Sequence, residues 1–140
     1  MRFMLIVKAS AESEAGIPPS KELVGEMMKF NQEMAKAGIL VGLDGLQASS
    51  KGARVTFHNG KTTVTDGPFA ETKELIAGYW IIDVKSKEEA VAWARCAPAP
   101  QGPDEQCEIE VRQIFDMGDV CADFADQEVI DRIHEALVKA

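Results

Sequence analysis

The chain has 140 residues, of which 46% are hydrophobic and 27% charged, which suits one packed domain of ordinary size. Its formal net charge of −8 argues against nucleic acid as a partner, because phosphate binding needs a basic field. No apolar run approaches the roughly 20 residues of a membrane span, and the first ten residues are typical of a strand and not of a signal peptide.

The first half of the chain predicts a strand, a helix and a second strand, followed by a hairpin. Ser20 is placed to cap a helix over 21–37, and Gly38 supplies its left-handed stop. Asn59-Gly60 joins two β-prone runs and is a strong two-residue hairpin signal. The predicted strands of this half are 2–9, 39–43, 54–58 and 61–65, and a polar loop is expected over 46–52 and another over 11–19.

The second half predicts a strand, a helix, a strand and a tail helix. Ser86 and Glu89 form a capping-box pattern that starts a helix ending near Cys96. The strands are expected at 76–84 and 108–115, and an amphipathic helix is expected over 126–139. Without the hairpin and the tail, the order is β-α-β-β-α-β, the ferredoxin-like pattern of the α+β class. We expect a domain over residues 1–116 and a C-terminal helical extension over 117–140.

Two of the predicted strands are apolar on both faces. Met4 and Ile6 alternate with Phe3 and Leu5 in the first strand, and the strand around Trp80 has the same character. An antiparallel sheet with helices on one face usually has polar residues on the other. A second copy of the same sheet would cover the second face, which predicts a homodimer. The alternative is that the tail helix or the hairpin folds back over it.

The segment T-D-G-P-F-A-E-T-K-E, followed by G-Y-W-I-I-D-V, resembles the DGPF family of YCII-related proteins. Further matches are R-F-M-L-I-V at the start, A-G-I-L after the first helix, E-E-A-V-A-W-A in the second helix and E-V-R in the last strand. The resemblance implies a ferredoxin-like fold that dimerises through its sheet into a dimeric α/β barrel. It also implies an association of some members with extracytoplasmic-function sigma factors, and it establishes no shared reaction.

The chain departs from the YCII-related proteins that resemble enzymes with a His-Asp pair. Those proteins carry the histidine on the first helix, whereas the predicted helix over 21–37 contains none. Their aspartate stands in an Asp-Pro dipeptide after the second helix, where this chain has Cys96-Ala97-Pro98. The His-Asp mechanism is therefore not carried over. Gln113 replaces the usual proline after E-V-R, which restores a backbone N–H.

The D-G-P-F segment supplies the first candidate site residues. Asp66 suits either an Asx-turn or a general base at the mouth of a barrel. Phe69 suits an anchor for the loop or a ligand-stacking ring. If the following segment is extended, Glu71 and Lys73 share a face and can form an ion pair. That pair is either exposed to solvent or placed in a pocket, where its charges could polarise a substrate. We therefore name Asp66, Glu71 and Lys73 as candidate catalytic residues and Phe69 as a candidate ligand contact.

Three further candidates lie on the predicted sheet. Glu110 and Arg112 share one face of the last strand, where they either form an ion pair or offer Arg112 to an anionic ligand. Tyr79, the sole tyrosine, has a hydroxyl that needs a partner if it is buried.

The sequence predicts no metal site and no cofactor. His58 and His134 have no metal-ligand spacing, and Gly-rich phosphate loops and nucleophile motifs are absent from the sequence. The three cysteines are odd in number and show no C-x-x-C spacing, so we expect a reducing, cytoplasmic location.

Two functional hypotheses follow. The first is a small-molecule site between two facing sheets, with cofactor-free acid-base chemistry if it is catalytic. The second is a regulatory accessory protein for an extracytoplasmic-function sigma factor, in which the acidic surface and the tail helix dock a protein partner. The D-G-P-F segment favours the first and the tail favours the second.

Overall fold

A computed structural model of the chain describes residues 1–116, 118 and 126–139. Within them the chain forms a mixed α+β structure built on antiparallel strands. In chain order the elements are β1 (Arg2–Lys8), α1 (Ala11–Glu14), α2 (Lys21–Lys36), β2 (Leu40–Gly45), a 3-10 turn (Ser49–Lys51), β3 (Ala53–His58), β4 (Lys61–Asp66), a second 3-10 turn (Thr72–Glu74), β5 (Ile76–Asp83), α3 (Lys87–Cys96), β6 (Ile109–Gln113) and α4 (Gln127–Lys139).

The strands form two separate sheets. Four of them pair in the order β2-β5-β1-β6, and each neighbouring pair is antiparallel. The other two, β3 and β4, pair only with each other across the Asn59-Gly60 turn. Both turn residues have positive φ, 49° and 74°, as a two-residue hairpin turn requires. The hairpin predicted from these two residues is therefore confirmed.

Helices α2 and α3 cover one face of the four-stranded sheet, which we call the first face. Phe3, Leu5, Trp80 and Ile82 point from the sheet into the core and meet Phe30, Met34 and Ala90 from the helices. The rings of Phe30 and Trp80 pack edge to face at 5.4 Å, and the Trp80 indole N–H donates to Asn31 Oδ1 at 2.7 Å. Side chains alternate along a strand, so Met4, Ile6, Tyr79 and Ile81 lie on the opposite face, the second face.

The predicted helix signals are largely confirmed. Ser20 Oγ accepts a hydrogen bond from the Leu23 amide at 3.1 Å, and Gly38 has φ +73° at the end of α2. Ser86 likewise caps α3 by accepting from the Glu89 amide at 3.1 Å. The carboxylate of Glu89, however, accepts from the Lys85 amide and not from Ser86, so half of the predicted capping box is wrong.

Three further local predictions are wrong. The predicted loop over 11–19 begins with α1, which Ser10 caps. The last strand is shorter than expected and spans Ile109–Gln113. The segment Thr72–Glu74 is a 3-10 turn and not an extended approach to β5.

The tail helix is confirmed as α4, although most of the extension between β6 and α4 lies outside the described residues, Cys121 included. Ile130 of α4 is buried, so this helix packs on the rest of the chain. None of the described helices is long and apolar enough to cross a membrane.

Candidate functional site

The predicted site residues fall into two groups, one beside an end of the four-stranded sheet and one on its second face. That end is formed where β1 and β2 finish and β5 and β6 begin. The loop group comprises Asp66, Phe69, Glu71 and Lys73, which connect the hairpin to β5. The second-face group comprises Tyr79, Glu110 and Arg112, which lie on the sheet itself.

Ser49 holds the loop group in place. Its backbone N–H and its hydroxyl both donate to the carboxylate of Glu14, the amide at 2.8 Å. Its hydroxyl oxygen also accepts the Phe69 amide at 3.0 Å. These hydrogen bonds, the side-chain one first, lower the pKa of Glu14 below its usual value. Helix α1, the Ser49–Lys51 turn and the D-G-P-F segment are thereby joined in one network, which sequence reasoning missed.

Gly67 is the point of closest approach between the D-G-P-F segment and that turn. Its amide donates to the Gly52 carbonyl at 3.0 Å. A Cβ added at this position would lie 1.8 Å from the Ser49 carbonyl oxygen, so only glycine fits. The following Gly67-Pro68 peptide bond is cis. Asp66, which ends β4, keeps its carboxylate exposed, and the turn is held by the amides of Gly67 and Phe69.

Arg54 of β3 connects the hairpin to the loop. Its guanidinium lies 3.9 Å from the centre of the Phe69 ring, and its Nη1 lies 3.6 Å from Glu71 Oε2. The prediction that Glu71 and Lys73 pair required an extended segment. The chain instead turns at Thr72–Glu74, and Glu71 pairs with Arg54. Both partners of the Arg54–Glu71 pair are half exposed, so it contributes about 0–1 kcal/mol of stability.

The second-face group is joined by residues that the sequence did not single out. The Tyr79 hydroxyl donates to Asp44 Oδ2 at 2.9 Å. On the other side of the face, Glu110 lies between two cations, with Lys8 Nζ at 3.7 Å and Arg112 Nη1 at 3.8 Å. This arrangement confirms that Glu110 and Arg112 share a face.

Cross-strand register explains how these groups surround an apolar centre. Asp44, Tyr79, Ile6 and Glu110 are successive Cα partners across β2, β5, β1 and β6. The neighbouring row comprises Gly42, Ile81, Met4 and Arg112. Adjacent strands lie about 4.8 Å apart, so Asp44 at one end of the first row, and Glu110 and Arg112 at the other end of the two rows, flank Ile6, Met4 and Ile81. We call these three residues the apolar centre of the second face.

The protonation state of Tyr79 follows from its partner. The hydrogen bond to the Asp44 carboxylate, and then the charge of that carboxylate, raise the pKa of Tyr79 above its usual value. Tyr79 is therefore a neutral phenol at pH 7, and its hydroxyl hydrogen is committed to Asp44. Its oxygen retains a lone pair that can accept a hydrogen bond from a ligand.

An open cleft of about 900 Å³ lies at the opposite end of the sheet. It is lined by Met1, Arg2, Asp83, residues 113–116 and, from α4, His134 and Leu137. His134 therefore lies at the end of the sheet opposite the loop group, and His58 lies at the exposed tip of the hairpin. Among the described residues, no group of three or more His, Cys, Asp or Glu side chains is arranged to hold a metal ion. Cys96 and Cys107 are free thiols.

Some of the partner residues that sequence reasoning missed could have been found if the register of the strands had been known. Lys8 lies in the predicted strand 2–9 and Asp44 directly follows the predicted strand 39–43, so a correct alignment of β1 with β6 and of β2 with β5 would have placed them. Glu14 and Ser49 are 35 residues apart, and no local pattern announces their contact.

Comparison with known proteins places the chain in a family. An uncharacterized protein of Rhizobium meliloti (strain 1021) is 33% identical over 75 residues, which are 54% of this chain and 60% of that protein. The chain thus matches less than two thirds of that relative's length. The model of the YCII-related domain matches residues 1–117, which include every residue of both site groups. The chain therefore belongs to the YCII-related domain family.

Proposed function

We propose that this protein is a homodimer that binds a small anionic molecule between two facing sheets and performs cofactor-free acid-base chemistry on it. The observation that carries the proposal is the second face, where two cations, two carboxylates and a tyrosine surround the apolar centre. Ligand sites are mostly apolar with a few convergent polar groups, and this face has that composition.

The strand order supports the proposed assembly. The order β2-β5-β1-β6, with α2 and α3 on one face, agrees with the ferredoxin-like β-α-β-β-α-β unit that the proposed assembly requires. Two such units that face each other across the second face would form a dimeric α/β barrel. Met4, Ile6 and Ile81 would then become the floor of an enclosed cavity, where charge interactions are stronger than in water.

The charges of the second face select the ligand. Lys8 and Arg112 both flank Glu110, so these three side chains together carry a formal charge of +1. The Arg112 fork suits a carboxylate or a phosphate of the ligand. Asp44 and Glu110 are the groups that could accept a proton from a ligand held there, because Tyr79 is held as a neutral phenol.

The loop group is proposed to complete the mouth of the cavity. Asp66 contributes an exposed carboxylate at the base of the hairpin, where the D-G-P-F turn brings the chain back to the sheet. Phe69 and Glu71 position the turn through Arg54, and Lys73 adds a further exposed cation.

Native mass spectrometry of the freshly purified protein tests this proposal, with Arg112→Gln and Arg132→Gln as a matched pair. Both arginines contact a glutamate, and their side chains are 74% and 71% exposed. We expect a dimer that carries an additional small mass in the wild type and in Arg132→Gln, and a dimer without it in Arg112→Gln. Equal retention in both variants would refute the role of the second face, and a monomer would refute the assembly.

A regulatory role is the second candidate, and the exposed apolar side chains of α4 favour it. Val129, Ile133, Leu137 and Val138 are exposed, whereas Ile130 is buried. Such a helix could dock an extracytoplasmic-function sigma factor. Changing Leu137 and Val138 to serine should abolish binding of that factor in a pull-down while the unfolding midpoint stays unchanged. Undiminished binding would eliminate α4 as the docking face.

A further inference from the structure

We infer that the β3–β4 hairpin is an arm that packs its apolar face on a second copy of this chain and thereby closes over Asp66. This inference rests on the proposed homodimer and adds a second contact to it. The observations that carry it are the two-faced composition of the hairpin, its fixed orientation and its charge.

The hairpin has one apolar and one polar face. Val55 and Val64 are direct Cα partners, and Phe57 lies on the same face two residues along β3. Thr62, the partner of Phe57, also lies on this face, whereas the opposite face has the other three threonines of the hairpin together with Arg54, His58 and Lys61. All twelve strand residues are exposed, with Phe57 at 78% and Val64 at 68%. An isolated two-stranded hairpin is marginally stable in water, so an alternating pattern of this kind predicts a partner for the apolar face.

The chain's own contacts fix which face points outward. Arg54, on the polar face, lies over the Phe69 ring and beside Glu71 of the chain's own loop. The Phe69 amide in turn donates to the Ser49 hydroxyl, which ties that loop to the turn before the hairpin. The polar face is therefore held toward the chain's own loop, and the apolar face is turned away from it.

Charge favours a second copy as the occupant. Arg54 and Lys61 against Asp66 give residues 53–66 a formal charge of +1, and because the whole chain carries −8, the remaining residues carry −9. A weakly basic arm is thus attached to a strongly acidic body. The same body on a second copy attracts the arm, and Lys61 at its tip would meet that surface first.

The size of the patch shows that the arm adds to a larger contact. Val55, Phe57 and Val64 expose on the order of 300 Å² together, whereas a specific interface buries about 800 Å² per partner. The arm alone is too small to hold a dimer. It suffices as an extension of the facing-sheet contact proposed above.

The position of Asp66 gives the contact a functional consequence. Asp66 is the Cα partner of Ala53, and alternation places both on the face that carries Val55 and Val64. A second copy seated on this face would cover the Asp66 carboxylate. The candidate site would then be completed by residues of two chains.

Sedimentation equilibrium of Val64→Asp and Thr63→Asp tests the inference. The two positions are adjacent and exposed, but they lie on opposite faces of the hairpin. We expect Val64→Asp to raise the dimer dissociation constant by about a hundredfold, because a two-fold interface loses each contact twice. Thr63→Asp should change it by less than about threefold. Hydrogen exchange of residues 53–66 should also slow when the wild-type concentration is raised through the dissociation constant.

The outcomes separate this inference from the proposed function. A wild-type dimer that both variants leave intact, but that Ile81→Asp dissociates, would overturn the arm and keep the facing-sheet dimer. A wild-type monomer at all concentrations would overturn both. Slow exchange of the hairpin at monomer dilution would show that the chain covers its own apolar face, which also overturns the arm.

Discussion

The substitution Gly67→Ala tests how the D-G-P-F segment is attached to the rest of the chain. The new Cβ would lie 1.8 Å from the carbonyl oxygen of Ser49 and 2.6 Å from its carbonyl carbon. Both atoms belong to the backbone, so no side-chain rotation relieves the overlap. Non-bonded heavy atoms rest at about 3.5 Å, so the two segments must separate by more than about 1 Å.

That separation costs two hydrogen bonds besides the overlap itself. The Gly67 amide bonds to Gly52 and the Phe69 amide to Ser49, each at 3.0 Å, and a further 1 Å exceeds the range of a hydrogen bond. Each loss costs about 0.5–1.5 kcal/mol, and overpacking costs about 1–3 kcal/mol. We therefore expect Gly67→Ala to reduce the free energy of unfolding by about 2–6 kcal/mol.

Urea unfolding at equilibrium measures this loss, and Gly52→Ala is its control. At Gly52 an added Cβ would lie 3.5 Å from the Ser49 carbonyl oxygen, an ordinary contact, and its φ of −113° suits alanine. Glycine-to-alanine changes at compatible positions stabilise by about 0.4–1 kcal/mol. If Gly67→Ala proves as stable as Gly52→Ala, the close approach does not exist in solution, and the placement of Asp66 and Phe69 derived from it is wrong.

Three other predictions concern single side chains. Ultraviolet titration of Tyr79, the sole tyrosine, should show a pKa above the usual value that falls in Asp44→Asn, and an unchanged titration would refute the hydrogen bond. The pKa of Glu14 is lowered in the folded state, so its stabilisation is present above pH 4.5 and is lost as the pH falls through the folded-state value. Glu14→Gln should thus be less stable than the wild type at pH 7 and should approach it in acid; a constant difference would contradict this account. Ile130→Ala should lose about 2–4 kcal/mol of unfolding free energy, and Ile133→Ala much less, because these side chains are 4% and 41% exposed.

The sequence allowed most of the strands, the hairpin and three of the helices to be predicted because their signals are local. Ser20, Gly38 and Asn59-Gly60 fix backbone geometry within a few residues of themselves. Helix α1 also begins at a local cap, Ser10, but its four residues carry no apolar repeat, and the contact of Glu14 with Ser49 joins residues distant in sequence.

The candidate site could be predicted only within regular strands, where alternate side chains lie on the same face of the sheet. That rule paired Glu110 with Arg112, but it failed for Glu71, because the extended segment it assumes is a 3-10 turn. The true partner of Glu71 is Arg54 of the hairpin. Contacts between segments distant in sequence, such as Ser49 with Glu14 and Arg54 with Glu71, depend on how the loops fold over the end of the sheet.

The two site groups differ in how much of their composition the fold itself requires. Gly67 is explained by the approach to Ser49, and Phe69 by the guanidinium above its ring and the hydrogen bond of its amide. The exposed carboxylate of Asp66 has no such structural explanation, since the turn is held by backbone amides. On the second face, the Tyr79–Asp44 pair and the cations beside Glu110 are equally unnecessary for a sheet whose core is on its other side. On the proposed function, the groups that act on the ligand are therefore expected on the second face and at Asp66, the residue before the turn that Gly67 and Phe69 hold in place.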